Sequence, residues 1–258
     1  MKVAVVIAAY DEAGNIGPLT ERLVRTLDSL PETLWKLIYV IEGADGTVDI
    51  ARDYSRERSE IEVLYGEQPS GLGRAFRSGF DAIPSDTDFV VTMDADLNHQ
   101  PEEIPGLLAH LRECNADIVV GSRRLQESSE HGTPAWKRAI SQLGNHCMYT
   151  FMGKRILDLT SGFRVYKMEA LRQIEFKSPG FAFLPEILIV AAARGLEVVE
   201  VPITFVFRTN GESKLQIRQT GIGYLRLFYT YFRSKLHSRS AASEWARSEK
   251  PLKAGSRE

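Results

Sequence analysis

Two acidic residues separated by one position carry the strongest chemical signal in the sequence. Asp94 and Asp96 follow directly on the apolar run Phe89–Met93, and Asn98 lies two positions further on. Carboxylate and amide oxygens are ligands that suit Mg²⁺ and Mn²⁺, and such cations commonly bind substrate phosphates as well. The segment predicts a divalent metal site, and a solvated acidic turn before Pro101 is the simpler alternative.

Acidic or glycine-rich segments follow other apolar runs. Tyr10, Asp11 and Glu12 follow the first run, where they could grip the base or ribose of a nucleotide or cap the next helix. The segment Glu42–Thr47 contains two glycines that permit a tight turn near a ligand, although it also fits an ordinary strand-to-helix loop. The segment Gly71–Ala75 opens a helix, where backbone N–H groups could approach a phosphate.

Basic residues near polar turns form a further group. A guanidinium group binds phosphate well and often through two hydrogen bonds, so these side chains are candidates for anion binding. For any single one, a solvated surface position is the simpler explanation. The group consists of Arg123, Arg124, Arg138, Arg164, Arg208 and Lys214.

The pattern of apolar residues predicts the elements that position these groups. Short apolar runs rich in β-branched residues are typical of buried parallel strands, and they occur at Val3–Ala9, Leu37–Ile41, Ile61–Tyr65, Phe89–Met93 and Ile118–Val120. Helices are predicted at Gly14–Leu30, Thr47–Arg58, Leu72–Ala82 and Glu102–Glu113. Alternation of strands and helices predicts an α/β fold with a mostly parallel central sheet, in which ligands bind beyond the carboxyl ends of the strands.

The second half of the chain has a different pattern. We expect a mobile polar loop at Arg123–Pro134, a helix at Ala135–Gly153, a mixed segment at Ile156–Tyr166, a helix at Phe183–Arg194 and a strand at Glu197–Phe207. A last helix is predicted at Ile217–His237, followed by a disordered tail at Ser238–Glu258. Because no repeat or linker is evident, we expect one domain over residues 1–216 with an appended helix and tail.

Composition limits the classes of function. The chain has 258 residues, of which 43% are apolar and 26% charged, which excludes a disordered chain. A net charge of −2 argues against nucleic-acid binding. Residues 207–258 nevertheless carry 11 Lys or Arg against four Asp or Glu, so we expect an anionic partner there, such as a membrane surface. The two cysteines are too few for a disulfide framework, and a reduced, cytoplasmic setting is expected.

In their order along the chain, these segments resemble the dolichol- and polyprenyl-phosphate mannose synthases, which are inverting glycosyltransferases with the nucleotide-sugar-binding GT-A fold. The resemblance covers about residues 1–216. It is carried by the segments AAYDEAGNI, EGADGT, GLGRAFRSGF, DADLNHQPEE, GSRR, DLTSGFRVYK and EVPITFVFRTNGESKL.

The resemblance implies transfer of a hexose, with mannose favoured, from a nucleotide sugar to a polyprenyl or dolichyl phosphate with the help of Mg²⁺ or Mn²⁺. The metal ligands it implies are Asp94, Asp96 and Asn98. The nucleotide-sugar contacts are Ala8, Tyr10, Glu12, Glu42, Asp45, Gly71, Asp94 and Ala95. The acceptor phosphate is assigned to Arg123, Arg138 and Ser213, and catalysis to Asp96, Arg208 and Lys214.

The sequence departs from the family pattern in the nucleotide-binding segments. Ala8 and Asp11 stand where the family usually has Pro and Asn, and Asn98 stands where it usually has Gln. The segment Ile41–Thr47 is one residue shorter than usual and lacks the first Asp. The nucleotide therefore stays open, with GDP-mannose favoured over a UDP-sugar. Transfer to a non-lipid acceptor and a non-catalytic nucleotide-sugar-binding subunit are the alternative functions.

The chemistry of the acceptor shapes two further expectations. A lipid phosphate is ionised at neutral pH and needs no general base, and Glu186 is the only tempting candidate for one. An apolar lipid tail must stay in the bilayer, so part of the protein should lie at the membrane surface. Because no apolar stretch reaches the roughly 18 residues of a membrane span, we expect peripheral binding through the amphipathic helix at 217–237. Packing of this helix on the core or on a second subunit is the alternative, and a membrane-anchoring partner or a homo-oligomer stays open.

Overall fold

The computed structural model describes residues 1–125, 129–131 and 156–206. The elements of the first half are β1 (Lys2–Tyr10), α1 (Ala13–Asp28), β2 (Leu34–Glu42), α2 (Thr47–Glu57), β3 (Ile61–Gly66), α3 (Leu72–Asp81), β4 (Phe89–Thr92), a 3₁₀ helix (Pro101–Glu103), α4 (Ile104–Glu113) and β5 (Ile118–Ser122). The remaining elements are β6 (Ser129–His131), β7 (Arg164–Lys167), α5 (Met168–Leu171), α6 (Phe183–Ala193), β8 (Val198–Pro202) and β9 (Thr204–Val206).

Seven strands form a central sheet in the order β3-β2-β1-β4-β7-β5-β8. Every neighbouring pair is parallel except the two that involve β7, which runs antiparallel to both β4 and β5. The carboxyl ends of the other six strands therefore meet at one edge of the sheet, which we call the carboxyl edge. The predicted α/β class with a mostly parallel sheet is confirmed.

Strand β1 shows why the chain folds in layers. Its residues Val3–Ile7 are all buried, because successive side chains point to opposite faces and both faces are covered. Val5 and Ile7 belong to the core under α1 and α4. On the opposite face, Val6 lies directly under Gly79 of α3. The apolar stripe of α1, which comprises Ile16, Leu19, Leu23 and Leu27, is fully buried in the first of these layers.

The second half of the chain differs from the sequence-based expectation in three places. The predicted strand Glu197–Phe207 is two strands, β8 in the central sheet and β9 in a separate two-stranded sheet. The partner of β9 is β6, within the segment expected to be a mobile loop. The mixed segment Ile156–Tyr166 leads into β7 in the middle of the main sheet. No helix among the described residues combines the length and the apolarity needed to cross a membrane.

Gly79 tests the packing of α3 on the sheet. A Cβ atom at this position would lie 2.4 Å from a methyl carbon of Val6 and 3.0 Å from one of Val40. We expect Gly79→Ala to lower the free energy of unfolding by about 1–3 kcal/mol through overpacking. Gly106→Ala in α4 is the control, because no atom lies within 4 Å of its Cβ position. Urea denaturation measures both, and equal stabilities for the two variants would contradict this packing.

Candidate active site

The carboxyl edge collects most of the described residues that the sequence singled out. Parallel strands β1, β2, β4 and β5 deliver the segments that begin at Asp11, Gly43, Met93 and Arg123 to this edge. Strand β7 runs the other way, so the residues that precede it, 158–163, lie at the same edge. Loops from distant parts of the sequence therefore lie at the same edge of the sheet.

Asp94 and Asp96 lie partly exposed after β4, whereas Ala95 and Asn98 between and beyond them are buried. Asp94 packs against Gly162, where an added Cβ would lie 2.6 Å from the Asp94 Oδ1 atom. The Asp96 carboxylate accepts hydrogen bonds from the Asn98 backbone N–H at 3.2 Å and from its side-chain amide at 2.7 Å. Asn98 thus orients the Asp96 carboxylate, and the Asp94 carboxylate packs against the backbone of Gly162.

This set of oxygen atoms fits a divalent cation that takes some of its ligands from the protein and the rest from a substrate and water. Mg²⁺ is usually held by one or two carboxylates together with waters and substrate phosphates. Across the described residues, no group of three or more His, Cys, Asp or Glu side chains forms a dedicated metal cage. Asp94 and Asp96, with the amide of Asn98, match the first arrangement.

His99, which the sequence analysis did not single out, lies beneath the two carboxylates. It is fully buried, its Nδ1 atom is 3.6 Å from the Asp94 Oδ2 atom, and its ring contacts Phe163 and Phe205 at centroid distances of 5.3 Å. Burial lowers the pKa of His99 to about 4, although the charge of Asp96 opposes the shift. The ring is neutral at pH 7, so it adds no positive charge beside the carboxylates.

Several predicted nucleotide contacts also hold the loops together. Asp45 accepts hydrogen bonds at 3.0 Å from the backbone N–H groups of Ala13 and Thr47, the first residues of α1 and α2. The Glu12 N–H donates to the Thr47 hydroxyl at 2.8 Å. Asp45, in the segment for which the alternative is an ordinary strand-to-helix loop, therefore satisfies N–H groups that a helix start leaves without partners. The capping alternative concerns Tyr10–Glu12, and the Glu12 side chain forms no cap hydrogen bond to α1.

Glu42 and Tyr10 lie at the carboxyl ends of β2 and β1. They are register partners, and Tyr10 is exposed whereas Glu42 is buried. The Glu42 carboxylate accepts hydrogen bonds from the Ser70 hydroxyl and, at 3.0 Å, from the Ser70 N–H. Gly43 adopts a φ of +99°, and a Cβ there would overlap the Asp11 carboxylate. The end of β1 and the segment that follows it are therefore closely packed against the loop at 42–47.

The glycines at the start of α3 allow another loop of the protein to approach closely. A Cβ at Gly71 or Gly73 would lie 2.6 or 2.1 Å from the carbonyl oxygens of Pro179 and Ser178. The Gly73 N–H donates to Pro179 O at 2.8 Å. Glu186 stabilises the same loop, because its carboxylate accepts the N–H groups of Lys177 and Ser178. Close approach of this loop explains the glycines, and a contact of Gly71 with a nucleotide sugar stays a prediction.

Arg123 is held at the carboxyl edge by an ion pair with Asp158. Its Nε and Nη2 atoms donate to the two carboxylate oxygens of Asp158 at 2.7 and 2.8 Å. Burial alone would raise the pKa of Asp158, but the charge of Arg123 and its hydrogen bonds outweigh that effect and hold the pKa well below its usual range. The Phe205 ring lies 5.1 Å from the guanidinium carbon of Arg123 and 5.3 Å from the His99 ring, which places the ion pair close to the segment after β4.

The other basic residues that the sequence singled out lie in different environments. Arg164 is fully buried and donates to the carbonyl oxygens of Leu184 and Leu159, both at 2.8 Å. Its guanidinium group is therefore not accessible to a phosphate, contrary to its grouping with the anion-binding candidates. The backbone N–H of Arg124 donates to Ser122 Oγ at 3.3 Å. Arg138, Arg208, Ser213, Lys214 and the helix predicted at 217–237 lie outside the described residues.

Comparison with known proteins gives consistent results. The family model described as glycosyl transferase family 2 matches residues 4–175. The chain is 37% identical over 221 residues to an undecaprenyl-phosphate mannosyltransferase of Micrococcus luteus, covering 83% of this chain and 88% of that protein. It is 31% identical to a polyprenol monophosphomannose synthase of Mycolicibacterium smegmatis, covering 83% of this chain and 81% of the relative.

Solved structures share the fold. Mannosyl-3-phosphoglycerate synthase from Rubrobacter xylanophilus superposes with a TM-score of 0.70 at 15% identity, over 100% of this chain and 79% of the other. Glucosyl-3-phosphoglycerate synthase from Mycobacterium tuberculosis, crystallised with Mn²⁺, UDP and phosphoglyceric acid, gives 0.65 at 22% identity, over 88% and 78%. At such identities the likeness concerns the fold alone, which is the expected GT-A type.

Gly162 tests the orientation of Asp94. The atom that an added Cβ would meet is the end of the Asp94 side chain, which can rotate away without disturbing the backbone. We expect Gly162→Ala to weaken Mn²⁺ binding about tenfold with little loss of stability. Gly180→Ala, whose Cβ position has no atom within 4 Å, is the control. Electron paramagnetic resonance of Mn²⁺ in the presence of a nucleoside diphosphate gives the affinities, and equal values for both variants would argue against this orientation.

The Arg123–Asp158 pair predicts a specific dependence of stability on pH. The pKa of Asp158 is depressed in the folded state, so its contribution is complete above the unfolded value of about 3.9 and is lost as the pH falls toward the folded value. We expect Asp158→Asn to lower the free energy of unfolding by about 3 kcal/mol at pH 7, because Arg123 loses its buried partner.

Denaturation of wild type and Asp158→Asn between pH 3 and 8 measures this contribution. The difference between the two proteins should be constant from pH 5 to 8 and should shrink below pH 4. A difference that grows toward low pH would contradict the pairing.

Proposed function

The chain belongs to glycosyl transferase family 2, and we propose that it transfers a mannosyl group from a nucleotide sugar to a polyprenyl phosphate with inversion at the anomeric carbon. One observation carries the proposal: two partly exposed carboxylates after β4 share the carboxyl edge with an oriented arginine after β5. Such an edge offers a cation site to one anion and a guanidinium to another. The named activities of the Micrococcus and Mycolicibacterium relatives support the same substrates.

The metal in this proposal is Mg²⁺ or Mn²⁺, held by Asp94, Asp96 and Asn98. These residues present hard oxygen donors, which suit such a cation. When bound, the cation offsets the charge of the departing nucleoside diphosphate. A structural neighbour that crystallised with Mn²⁺ and UDP, the Mycobacterium tuberculosis glucosyl-3-phosphoglycerate synthase, is consistent with this proposal.

The nucleotide sugar is proposed to bind between the β1–β2 ends and the segment after β4. Its contacts are Ala8, Tyr10, Glu12, Glu42, Asp45, Gly71, Asp94 and Ala95. The exposed ring of Tyr10 offers an apolar surface to a base, and the Glu42 carboxylate, oriented by Ser70, offers an acceptor for its polar edge. GDP-mannose is the favoured donor, and a UDP-sugar is the alternative.

The acceptor phosphate is proposed to meet Arg123, Arg138 and Ser213, with Asp96, Arg208 and Lys214 aligning the reacting groups. A phosphate oxygen attacks the anomeric carbon from the face opposite the leaving diphosphate, and the bond from that carbon to the diphosphate breaks. The phosphate is already ionised, so no side chain needs to remove a proton. Glu186 fits this scheme, because its carboxylate already binds two backbone N–H groups.

The lipid tail of the acceptor requires contact with a membrane. We assign that contact to the basic C-terminal region, in which residues 207–258 carry 11 Lys or Arg against four Asp or Glu. In this proposal, residues 1–216 form the catalytic domain, 217–237 lie at the cytoplasmic face of the membrane, and 238–258 form a disordered tail.

A transfer assay tests the proposal. The full chain is incubated with Mn²⁺, a short polyprenyl phosphate and radiolabelled GDP-mannose or UDP-sugars. We expect label in the organic phase, a requirement for the cation, and a loss of at least 100-fold in Asp96→Ala. Asp86→Ala removes an exposed carboxylate near Lys2, the first residue of β1 and thus at the opposite edge, and should have no effect.

The outcomes separate the candidate functions. Label that enters only a water-soluble acceptor would replace the lipid phosphate by another acceptor. Binding of nucleotide sugar without any turnover would support a non-catalytic subunit instead.

A further inference from the structure

The side chain of Arg123 is fixed by an ion pair with unequal burial. The Asp158 side chain is completely buried, whereas 16% of the Arg123 side chain remains exposed. The carboxylate is thus buried behind a side chain that keeps part of its surface exposed at the carboxyl edge. Asp158 also accepts a hydrogen bond from the backbone N–H of Arg123 at 3.0 Å, so it binds both the backbone and the side chain of that residue.

The guanidinium plane is fixed in two directions. Thr160 Oγ1 accepts a second hydrogen bond from Nη2 at 2.9 Å, so Asp158 and Thr160 together engage the N–H group of Nε and both N–H groups of Nη2. The ring of Phe205 lies 5.1 Å from the guanidinium carbon and covers one of its faces. Rotation about the side-chain bonds would break these contacts.

Asp158 is itself held in place by Glu200 on β8. The Glu200 carboxylate accepts the N–H groups of Leu157 and Asp158 at 2.7 and 2.8 Å. The Thr160 hydroxyl and N–H also point to Asp158 Oδ1, at 3.2 and 3.3 Å. The loop at 157–160 is therefore a rigid support behind Arg123.

Stability does not account for this arrangement. A buried ion pair is often no more stable than a pair of apolar side chains that fill the same space. The pair also has no net charge, so it adds little long-range attraction for an anion. What it offers is a guanidinium group with a fixed direction, which a directional, charge-assisted hydrogen bond to phosphate requires.

We propose that Asp158 is a positioning residue, which orients the Arg123 guanidinium toward the phosphate of the acceptor. This inference rests on the proposed function, in which Arg123 meets that phosphate. Because Arg123 is ordered before the acceptor arrives, binding does not have to restrict a flexible side chain. Thr160 supports the same orientation, and its contribution is smaller because the Asp158 bonds remain without it.

The test compares KM for a short polyprenyl phosphate with KM for the nucleotide sugar in four full-length variants. We expect Asp158→Asn to raise the acceptor KM roughly 10- to 100-fold and to leave the donor KM unchanged. Arg123→Lys keeps the charge but loses the guanidinium group, so it should match Asp158→Asn. Thr160→Val keeps the ion pair and should give a smaller increase, which Thr160→Ser restores.

A matched control lies at the other end of β5. Asp117 pairs with Lys167 at 3.3 Å and accepts the Glu197 N–H at 2.8 Å, at the edge remote from the site. Asp117→Asn therefore makes the same chemical change and weakens the fold without altering the acceptor KM. Thermal denaturation of every variant separates loss of stability from loss of acceptor binding, and Thr160→Val remains informative if Asp158→Asn does not fold.

The outcomes distinguish this inference from the proposed function. An acceptor KM that is unchanged or lowered in a folded Asp158→Asn protein, or an equal increase in donor KM, overturns the positioning role. If the wild-type protein transfers no sugar, calorimetry measures the direct binding of the short polyprenyl phosphate instead. A wild-type protein that binds this lipid without transferring sugar contradicts the proposed function, and the affinities of the variants then still decide the role of Asp158.

Discussion

The direction of strand β7 is the constraint on which the site depends. It lies between β4 and β5 in the sheet and runs antiparallel to both, so the loop that precedes it emerges where its neighbours end. That loop places Gly162 against Asp94 and Asp158 against Arg123. A parallel strand in the same position would send the loop to the opposite edge, and neither the carboxylates nor the arginine would have its present support.

The electrostatics of the edge depend on how far each charged group is buried. Asp94 and Asp96 stay partly exposed, and the buried histidine beside Asp94 is neutral and adds no positive charge there. Arg123 is paired with a fully buried carboxylate, so it contributes direction more than charge. In the proposed transfer, two anionic substrates repel each other, and a cation beside one of them with a guanidinium group oriented toward the other reduces that cost. Under this proposal, preorganised charge is the main contribution of the described residues to catalysis.

The sequence predicted the first half of the fold well, because buried parallel strands produce uninterrupted apolar runs and the helices between them are amphipathic. It did not predict β7, whose four residues RVYK include a fully buried arginine that resembles a surface residue in the sequence. Strands β6 and β9 are three residues each and pair over a long sequence separation, which local patterns do not encode. The segment after β4 was identified from its spacing, but the supports of the site depend on contacts between distant residues. Asp158 and Glu200 were missed for that reason, and only the position of His99 directly after the acidic segment gave any signal for it.

The central claim is that a cation held by Asp94 and Asp96 and an acceptor phosphate near Arg123 share one edge of the sheet. Mn²⁺ shortens the relaxation times of nearby nuclei, and this effect falls steeply with distance. The ³¹P resonance of a short polyprenyl phosphate therefore reports the distance between the cation and the acceptor phosphate. With Mn²⁺ and a nucleoside diphosphate bound to the full chain, we expect strong broadening of that resonance, which disappears when Asp94 and Asp96 are both replaced by Asn. A resonance that stays sharp while Mn²⁺ and the lipid phosphate are both bound would contradict the claim.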